Sequence, residues 1–312
     1  MRENQLAAQV VGEVKKAVVG KDETVVKVLL AILARGHILL EDIPGVGKTT
    51  LAIAFSKALG LQYSRVQFTP DVMPSDLTGF SLYNKDTGRM EYQPGALLCN
   101  LFLADELNRA TSRTQSALLE AMEEGRVTVD GVSHPVPDPF LVIATQNPAG
   151  ASGTQLLPDS QLDRFALRLT MGYPAPADEL ELLQRKLRGE LMSDVIQAAG
   201  REELAQLRAQ VDRVFVDDVI LQYILRMVQA TRNHPKLAQG ASPRVAISVA
   251  GLARACAFLH GRDYVVPEDV QYVWVDAVTH RLLLSAGGAG EARRTVEIAG
   301  EILSSVRAPR LR

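Results

Sequence analysis

An α/β domain on a parallel sheet, carrying two β-hairpin inserts and followed by a small helical domain, is the fold class this sequence predicts. Three observations lead there. Short apolar runs without polar alternation recur through the first half, as parallel strands covered on both faces require. Helical segments separate those runs, giving the layered order of a doubly wound domain. After Gly172 the pattern turns almost entirely helical. The chain has 312 residues, 47% of them hydrophobic. That length buries well over half of the unfolded surface without a disulfide or metal staple. The predicted division is residues 1–172 for the α/β domain and 173–312 for the helical one.

Taken in order, apolar residues at helical spacing occupy residues 5–19. Residues 22–34 follow, with Asp22 and Glu23 in the first turn, which suits a helix start. The apolar HILL at 37–40 is a short strand, and a Gly/Pro turn leads into a helix at 49–59. Residues 65–68, 101–104, 141–145 and 167–171 read as further buried strands, and 112–124 is the clearest helix between them. FSLYNKDTGRMEY (80–92) and VTVDGVSHPV (127–136) each place strand-like runs around a turn-rich centre and read as hairpins. Tyr173-Pro174-Ala175-Pro176 is a linker. Beyond it the expected helices are 176–187, 201–210, 217–231, 243–259, 267–284 and 292–306, with Pro176, Pro243 and Pro267 at helix starts where a missing N–H costs little. Residues 287–290, GGAG, form a loop.

Composition excludes several classes. Charged residues at 22% and a net charge of -2 fit neither a disordered chain nor a chain-wide nucleic-acid footprint. Cys99 and Cys256 lie far apart and outside any CxxC pair, which suits a reducing compartment. The N-terminus has no long apolar h-region and carries Glu3 and Glu13, so it does not read as a signal peptide. The most apolar stretch, 25–40, is broken by Lys27, Arg35, Gly36 and His37, so no membrane span is expected. The expectation is a cytoplasmic protein. His37, His134, His234, His260 and His280 are scattered and read as structural or exposed rather than as a metal cluster.

Three motifs carry chemistry. LLEDIPGVGKTT runs from strand through turn to helix, and Gly45-Val46-Gly47-Lys48-Thr49 matches the end of the P-loop pattern. Pro44, Gly45, Val46, Gly47, Lys48, Thr49 and Thr50 form the expected nucleotide cradle. The glycines let backbone N–H groups approach phosphates, Lys48 supplies a cation, and the Thr49 hydroxyl suits Mg²⁺. Asp42 stands where the strict pattern has its first glycine and is expected to be only the shoulder of the loop. LFLADE (101–106) is an apolar strand ending in two acids, a Walker B pattern. Asp105 is suited to hold Mg²⁺ through water, and Glu106 to polarise a water nucleophile, which implies hydrolysis rather than phosphate transfer to another molecule. In LVIATQNP (141–148), Asn147 ends a third strand and can orient that water without adding charge.

With these in hand, the chain resembles the MoxR family of AAA+ ATPases. The P-loop, DELNRA, ATQNP, LPDSQLDRF and GASPR occur in the family's order, joined by DVMPSDLTG, LNRATSRTQSALLEAMEEGRV and GRDYVVPEDV. The resemblance implies a P-loop AAA+ core with a parallel sheet and hairpin inserts, then an α-helical lid domain. It implies a homo-oligomer, a hexameric ring, with ATP between subunits. Arg164 in LDRF matches the arginine finger, and a finger given in trans is worth roughly 10³–10⁵ in rate. Arg244 in ASPR matches the sensor-two arginine, acting on its own or a neighbouring subunit's nucleotide. Val19 and Gly20 would line the adenine, and Arg109 and Arg113 would face an intersubunit surface. Gly150 and Ser152 stand where the family often carries acids, which leaves the role of that loop open.

The resemblance implies an ATP-driven remodelling protein that matures a client protein or a metalloenzyme, together with a partner bearing a von Willebrand A domain. Two other functions share the motifs: the ATPase subunit of a metal chelatase, and a nucleic-acid motor. The charge balance of the hairpins argues against the motor, because Lys85 and Arg89 are offset by Asp86 and Glu91 and the 127–136 hairpin has no Lys or Arg. Glu106 argues against a switch that binds nucleotide without turnover. Asn84-Lys85-Asp86 lacks the spacing of a guanine signature, which argues against a GTPase.

Overall fold

The computed structural model describes residues 2–147, 157–189, 192, 194–285 and 290–310. Pro148, Gly150, Ser152 and most of the expected glycine loop at 287–290 lie outside them. In chain order the elements begin with α1 (Arg2–Ala17), α2 (Asp22–Leu33), β1 (His37–Glu41), α3 (Lys48–Ala58) and β2 (Tyr63–Gln67). A short α4 (Pro74–Thr78) leads into the hairpin β3 (Gly79–Asn84) and β4 (Arg89–Pro94). Then come β5 (Leu101–Asp105), a 3-10 turn (Leu107–Arg109), α5 (Ser112–Glu124), the hairpin β6 (Arg126–Val129) and β7 (Val132–Pro135), and β8 (Leu141–Gln146). After α6 (Asp159–Leu162) and β9 (Phe165–Leu169) follow α7 (Pro176–Arg188), α8 (Arg201–Arg213), α9 (Asp218–Arg232) and β10 (Leu237–Gln239). The chain continues through α10 (Pro243–Leu259), α11 (Pro267–Val278), a 3-10 turn (Thr279–Arg281), β11 (Leu283–Leu284) and α12 (Glu291–Ser305).

Five strands form one sheet in the order β2-β5-β8-β1-β9, and every pairing is parallel. Successive side chains on a strand point to opposite faces, and here both faces are covered. Ile38, Leu40, Leu101, Leu103, Leu141, Ile143 and Leu167 belong to one core, with α1, α2, α3 and the helices of the second half. Leu39, Phe102, Ala104, Val142, Ala144 and Phe165 belong to another, with Leu77, Leu118 and Leu119. This explains why β1, β5, β8 and β9 read as largely apolar runs; β2, at the sheet edge, leaves Arg65 and Gln67 exposed. The first core continues into the helical half through Leu207, Tyr223, Val249, Trp274 and Ile298.

Both expected hairpins form. They are joined by a stack of Tyr92 on His134, with ring centroids 3.7 Å apart and planes inclined by 12°. Two elements depart from expectation. The strand expected at 167–171 lies at Phe165–Leu169, because pairing with β1 runs from His37–Phe165 to Leu40–Leu169. The backbone N–H groups of Met171 and Gly172 go to the Asp42 carboxylate instead. The helix expected at 267–284 ends at Val278; His280 and Arg281 turn inward, and Leu283–Leu284 pairs with β10. No helix among the described residues is long and apolar enough to cross a membrane.

Candidate active site

The parallel sheet gathers the predicted motifs at the C-terminal ends of β1, β5 and β8. Gly47, at φ +97°, is the N-cap of α3, a left-handed conformation that glycine adopts without strain. It turns the chain so that α3 opens with Lys48 and Thr49 facing the strand ends. Lys48 is buried, and its Nζ donates to the Asp42 carbonyl at 2.6 Å. Burial lowers the Lys48 pKa, and the neighbouring Asp42, Asp105 and Glu106 oppose that shift. Asp42 is more than a shoulder. Its carboxylate accepts from the N–H groups of Ile43 (2.8 Å), Met171 (2.6 Å) and Gly172 (2.5 Å). A glycine there would leave these donors without that acceptor.

Asp105 and Glu106 end β5. The Thr145 hydroxyl donates to Asp105 Oδ1 at 2.6 Å and accepts from the Glu106 N–H at 2.9 Å. Arg65 holds the other Asp105 oxygen through Nε (3.2 Å) and Nη2 (2.7 Å), and its Nη2 also reaches Gln67 at 2.9 Å. Glu106 has a left-handed backbone, φ 56°, which tilts its side chain away from the strand path. Its carboxylate is held by Arg109 at 2.8 Å on one oxygen and by Asn147 Nδ2 at 3.3 Å on the other. Asn147 thus reaches the acid it was expected to assist.

Two adjoining cavities test the fit of a nucleotide. One, about 350 Å³, is lined by Pro44, Gly45, Gly47, Lys48, Thr49, Thr50, Arg65, Gln67, Asp105, Glu106 and Asn147. Its acids, hydroxyls and lysine suit phosphates with Mg²⁺, which Thr49 and Asp105 would hold. The other, about 280 Å³, is mostly apolar: Val18, Val19, Val46, Met171, Pro174, Leu182 and Leu183 line it. It suits a flat base, and the cavities share Gly45, Gly47 and Thr50. Val19 lines this apolar cavity. Gly20 does not line the cavity; a Cβ on it would fall 2.2 Å from the Asp178 carboxylate of α7.

Arg164 and Arg244 lie elsewhere. Both pair with Glu123 at the end of α5, Arg164 at 3.0 Å and Arg244 in close contact. They line a cavity of about 220 Å³ with His37, Asp163, Ile247 and Arg281. His37 opens β1, whereas the P-loop leaves its other end, so a five-residue strand of about 13 Å separates the two sites. The two arginines hold the Glu123 carboxyl below the usual range, with the hydrogen bond from Arg244 first among the causes. The sequence did not indicate Arg65, Gln67, Thr145 or Glu123 for the site. A charged Arg65 in a strand that ends beside the acids, with Gln67 two residues on and so on the same face, was the available signal. Among the described residues, Cys256, His260 and Asp269 bring ligand atoms within 4.8 Å of one another. Arg262, bidentate to Asp269 at 2.6 and 2.7 Å, already neutralises that acid.

Comparison with known proteins agrees with this geometry. The model of the "ATPase family associated with various cellular activities (AAA)" matches residues 37–167, and an AAA lid domain model matches residues 229–302. The uncharacterised protein YeaC of Bacillus subtilis is 45% identical over 304 residues, covering 97% of this chain and 95% of its own length. Chaperone MoxR1 of Mycobacterium tuberculosis is 37% identical over 308 residues, covering 96% of this chain and 81% of its own. A crystal structure of an ATPase-like protein from Cytophaga hutchinsonii superposes with a TM-score of 0.90 at 36% identity, covering 99% of this chain and 96% of that one. A phosphate loop at the end of β1, paired acids at the end of β5 two strands away, and 37–45% identity to these relatives over nearly the whole chain place it in the MoxR family of AAA+ ATPases.

Proposed function

We propose that this AAA+ protein hydrolyses ATP at sites shared between neighbouring copies of itself in a hexameric ring. Lys48, Thr49, Asp105, Glu106 and Asn147 come from one protomer, Arg164 and Arg244 from the next. The observation that carries this reading is the separation of the two sets by the length of β1, with both arginines drawn to Glu123. Within one chain they face away from the phosphate cradle, so a partner's cradle is what they can serve. The same separation favours Arg244 acting in trans.

In this reading Val19 meets the adenine. Gly20 contributes by letting α7 approach. Pro44 to Thr50 wrap the phosphates. Thr49 and Asp105 would hold Mg²⁺, which when bound would supply positive charge beside the phosphoryl group. Asn147 orients the water, Glu106 takes its proton as the water oxygen bonds to the γ-phosphorus, and the bond to ADP breaks. Arg65 and Arg109 pair with Asp105 and Glu106, so cation and water would compete with them for the same carboxylates.

Residues 1–172 act as the nucleotide domain and 173–312 as the lid. The work is delivered to a client protein or metalloenzyme, with a von Willebrand A domain partner, in the cytoplasm. Exposed Phe80, Leu82, Tyr83, Met90 and Val132 on the hairpins offer apolar contact for a protein client. The hairpins carry no surplus of basic charge: Arg126, which opens β6, is neutralised by Glu124 at 2.5 Å.

Subunit mixing tests the shared site. Arg164→Ala and Glu106→Gln proteins, each inactive alone, should regain phosphate release when mixed, because one class of interface recovers a full set. Absence of recovery across all mixing ratios would overturn the reading.

A further inference from the structure

The helical half holds the residues on both sides of Arg164. On one side, Ser242 Oγ lies 3.0 Å from each carboxylate oxygen of Asp163 and donates to them, and Arg281 Nε lies 3.4 Å from that carboxylate. On the other side, the Phe165 carbonyl accepts from His280 Nε2 at 2.8 Å and from Arg281 Nη2 at 2.6 Å. Ser248 of α10 lies 3.3 Å from the same Nη2. The Arg281 side chain is 2% exposed, and neither its Nε nor its Nη1 has a hydrogen-bond partner among the described residues, so its contact with Asp163 is an ion pair rather than a hydrogen bond. Burying a guanidinium so deeply is costly, and an apolar side chain of like volume would pack without that cost. What Arg281 gains is a bridge between the acid before Arg164 and the carbonyl after it. Ser242 extends the bridge: it caps α10 by accepting the Arg244 N–H at 3.2 Å. One connected set thus runs from the 3-10 turn through the Arg164 segment to the helix start that bears Arg244.

We propose that Arg281 is the positioning residue of the arginine pair. It ties the Asp163 carboxylate and the Phe165 carbonyl, on either side of Arg164, to the lid that carries Arg244, so that the two cations enter a neighbouring site as one rigid unit. The proposal rests on the shared-site reading above. It assigns Arg281 no contact with nucleotide.

The test uses the full-length protein with Arg281→Met. The expected result is a kcat lowered by up to about a hundredfold, the cost of misplacing a charge by an ångström. KM for ATP and nucleotide affinity stay unchanged, because the variant's own cradle is intact. Mixing with Glu106→Gln protein restores activity, since the hybrid interface joins that cradle to undisturbed arginines. A raised KM with kcat unchanged would overturn the proposal. So would failed recovery while the Arg164→Ala and Glu106→Gln control recovers. If both mixtures fail, the shared site itself is wrong. Should Arg281→Met not fold, Arg281→Lys serves, because one ammonium cannot span from Asp163 to the Phe165 carbonyl. Added to a protein in which both Arg164 and Arg244 are replaced by Ala, it should lower the residual turnover no further. A further multiplicative loss there would overturn the proposal, because Arg281 would then act independently of the arginine pair.

Discussion

Glu106 carries a φ of 56° with an ordinary side chain, a conformation costing of order 1–3 kcal/mol that persists only where its surroundings enforce it. Thr145 enforces it here, accepting the Glu106 N–H while donating to Asp105. One hydroxyl therefore sets the relative aim of the two acids. Glu106→Gln preserves shape and cannot take a proton. Calorimetry should find ATP affinity retained, while phosphate release falls by about 10²–10⁴-fold; a near-normal rate would remove Glu106 from the base role. At this scale the sequence was informative where a role follows from residue type and chain neighbours. Lys48, Thr49, Asp105 and Glu106 needed only a strand before them and a turn or helix after. Thr145 and Arg65 were not legible as partners of Asp105, because each lies 40 residues from it and meets it only through strand register. Glu123 was hidden for the same reason: nothing in a helix-end acid foretells two guanidiniums from other segments.

The two hairpins behave as one element. Tyr92 stacks on His134 across them and donates its hydroxyl to the Thr78 carbonyl at 2.5 Å. An aromatic stack is worth about 0.5–1.5 kcal/mol beyond burial. His134→Ala should therefore loosen β6–β7 against β3–β4 while leaving global stability within about 1.5 kcal/mol. Hydrogen exchange should quicken at both hairpins together; quickening at β6–β7 alone would show that they move separately. Element existence was readable from periodicity, and α5 and α10 begin and end where expected. The misplaced ends have physical causes outside local pattern. β9 is set by its partner β1, and α11 stops where two side chains turn to a distant carbonyl. The β10–β11 pair escaped notice because strands of three and two residues leave almost no periodic signal.

Across the whole molecule, acid should act through two imidazoles, the half-buried His37 and the buried His280. His37 Nδ1 accepts from the Val142 N–H at 3.1 Å, so the ring is neutral there, and its Nε2–H donates to the Met122 carbonyl at 3.1 Å. Burial lowers its pKa to about 4 from 6.5. Burial also lowers that of His280, with Arg281 and Arg168 adding to the effect. Between these limits the unfolded chain binds a proton that the folded chain refuses, so stability is lost as pH falls from 6.5 toward 4. Urea midpoints measured through that window should show this decline. His37→Asn keeps an acceptor for Val142 and should flatten the slope by up to one proton; an unchanged slope would mean that the ring is not held neutral. The continuous core between the α/β and helical halves was beyond the sequence, which predicted two units without showing that α1 and α2 are packed against the second.

That continuity gives Asp42 a mechanical consequence. Its carboxylate ties the entry to the phosphate loop to Met171 and Gly172, the threshold of the helical half, while its own carbonyl holds Lys48. A tug on that threshold cannot stay local. It travels along a leash of three carbon–carbon bonds to the Lys48 ammonium, which on the proposed reading grips the fuel, so strain at the far end of the lever would be felt at the trigger.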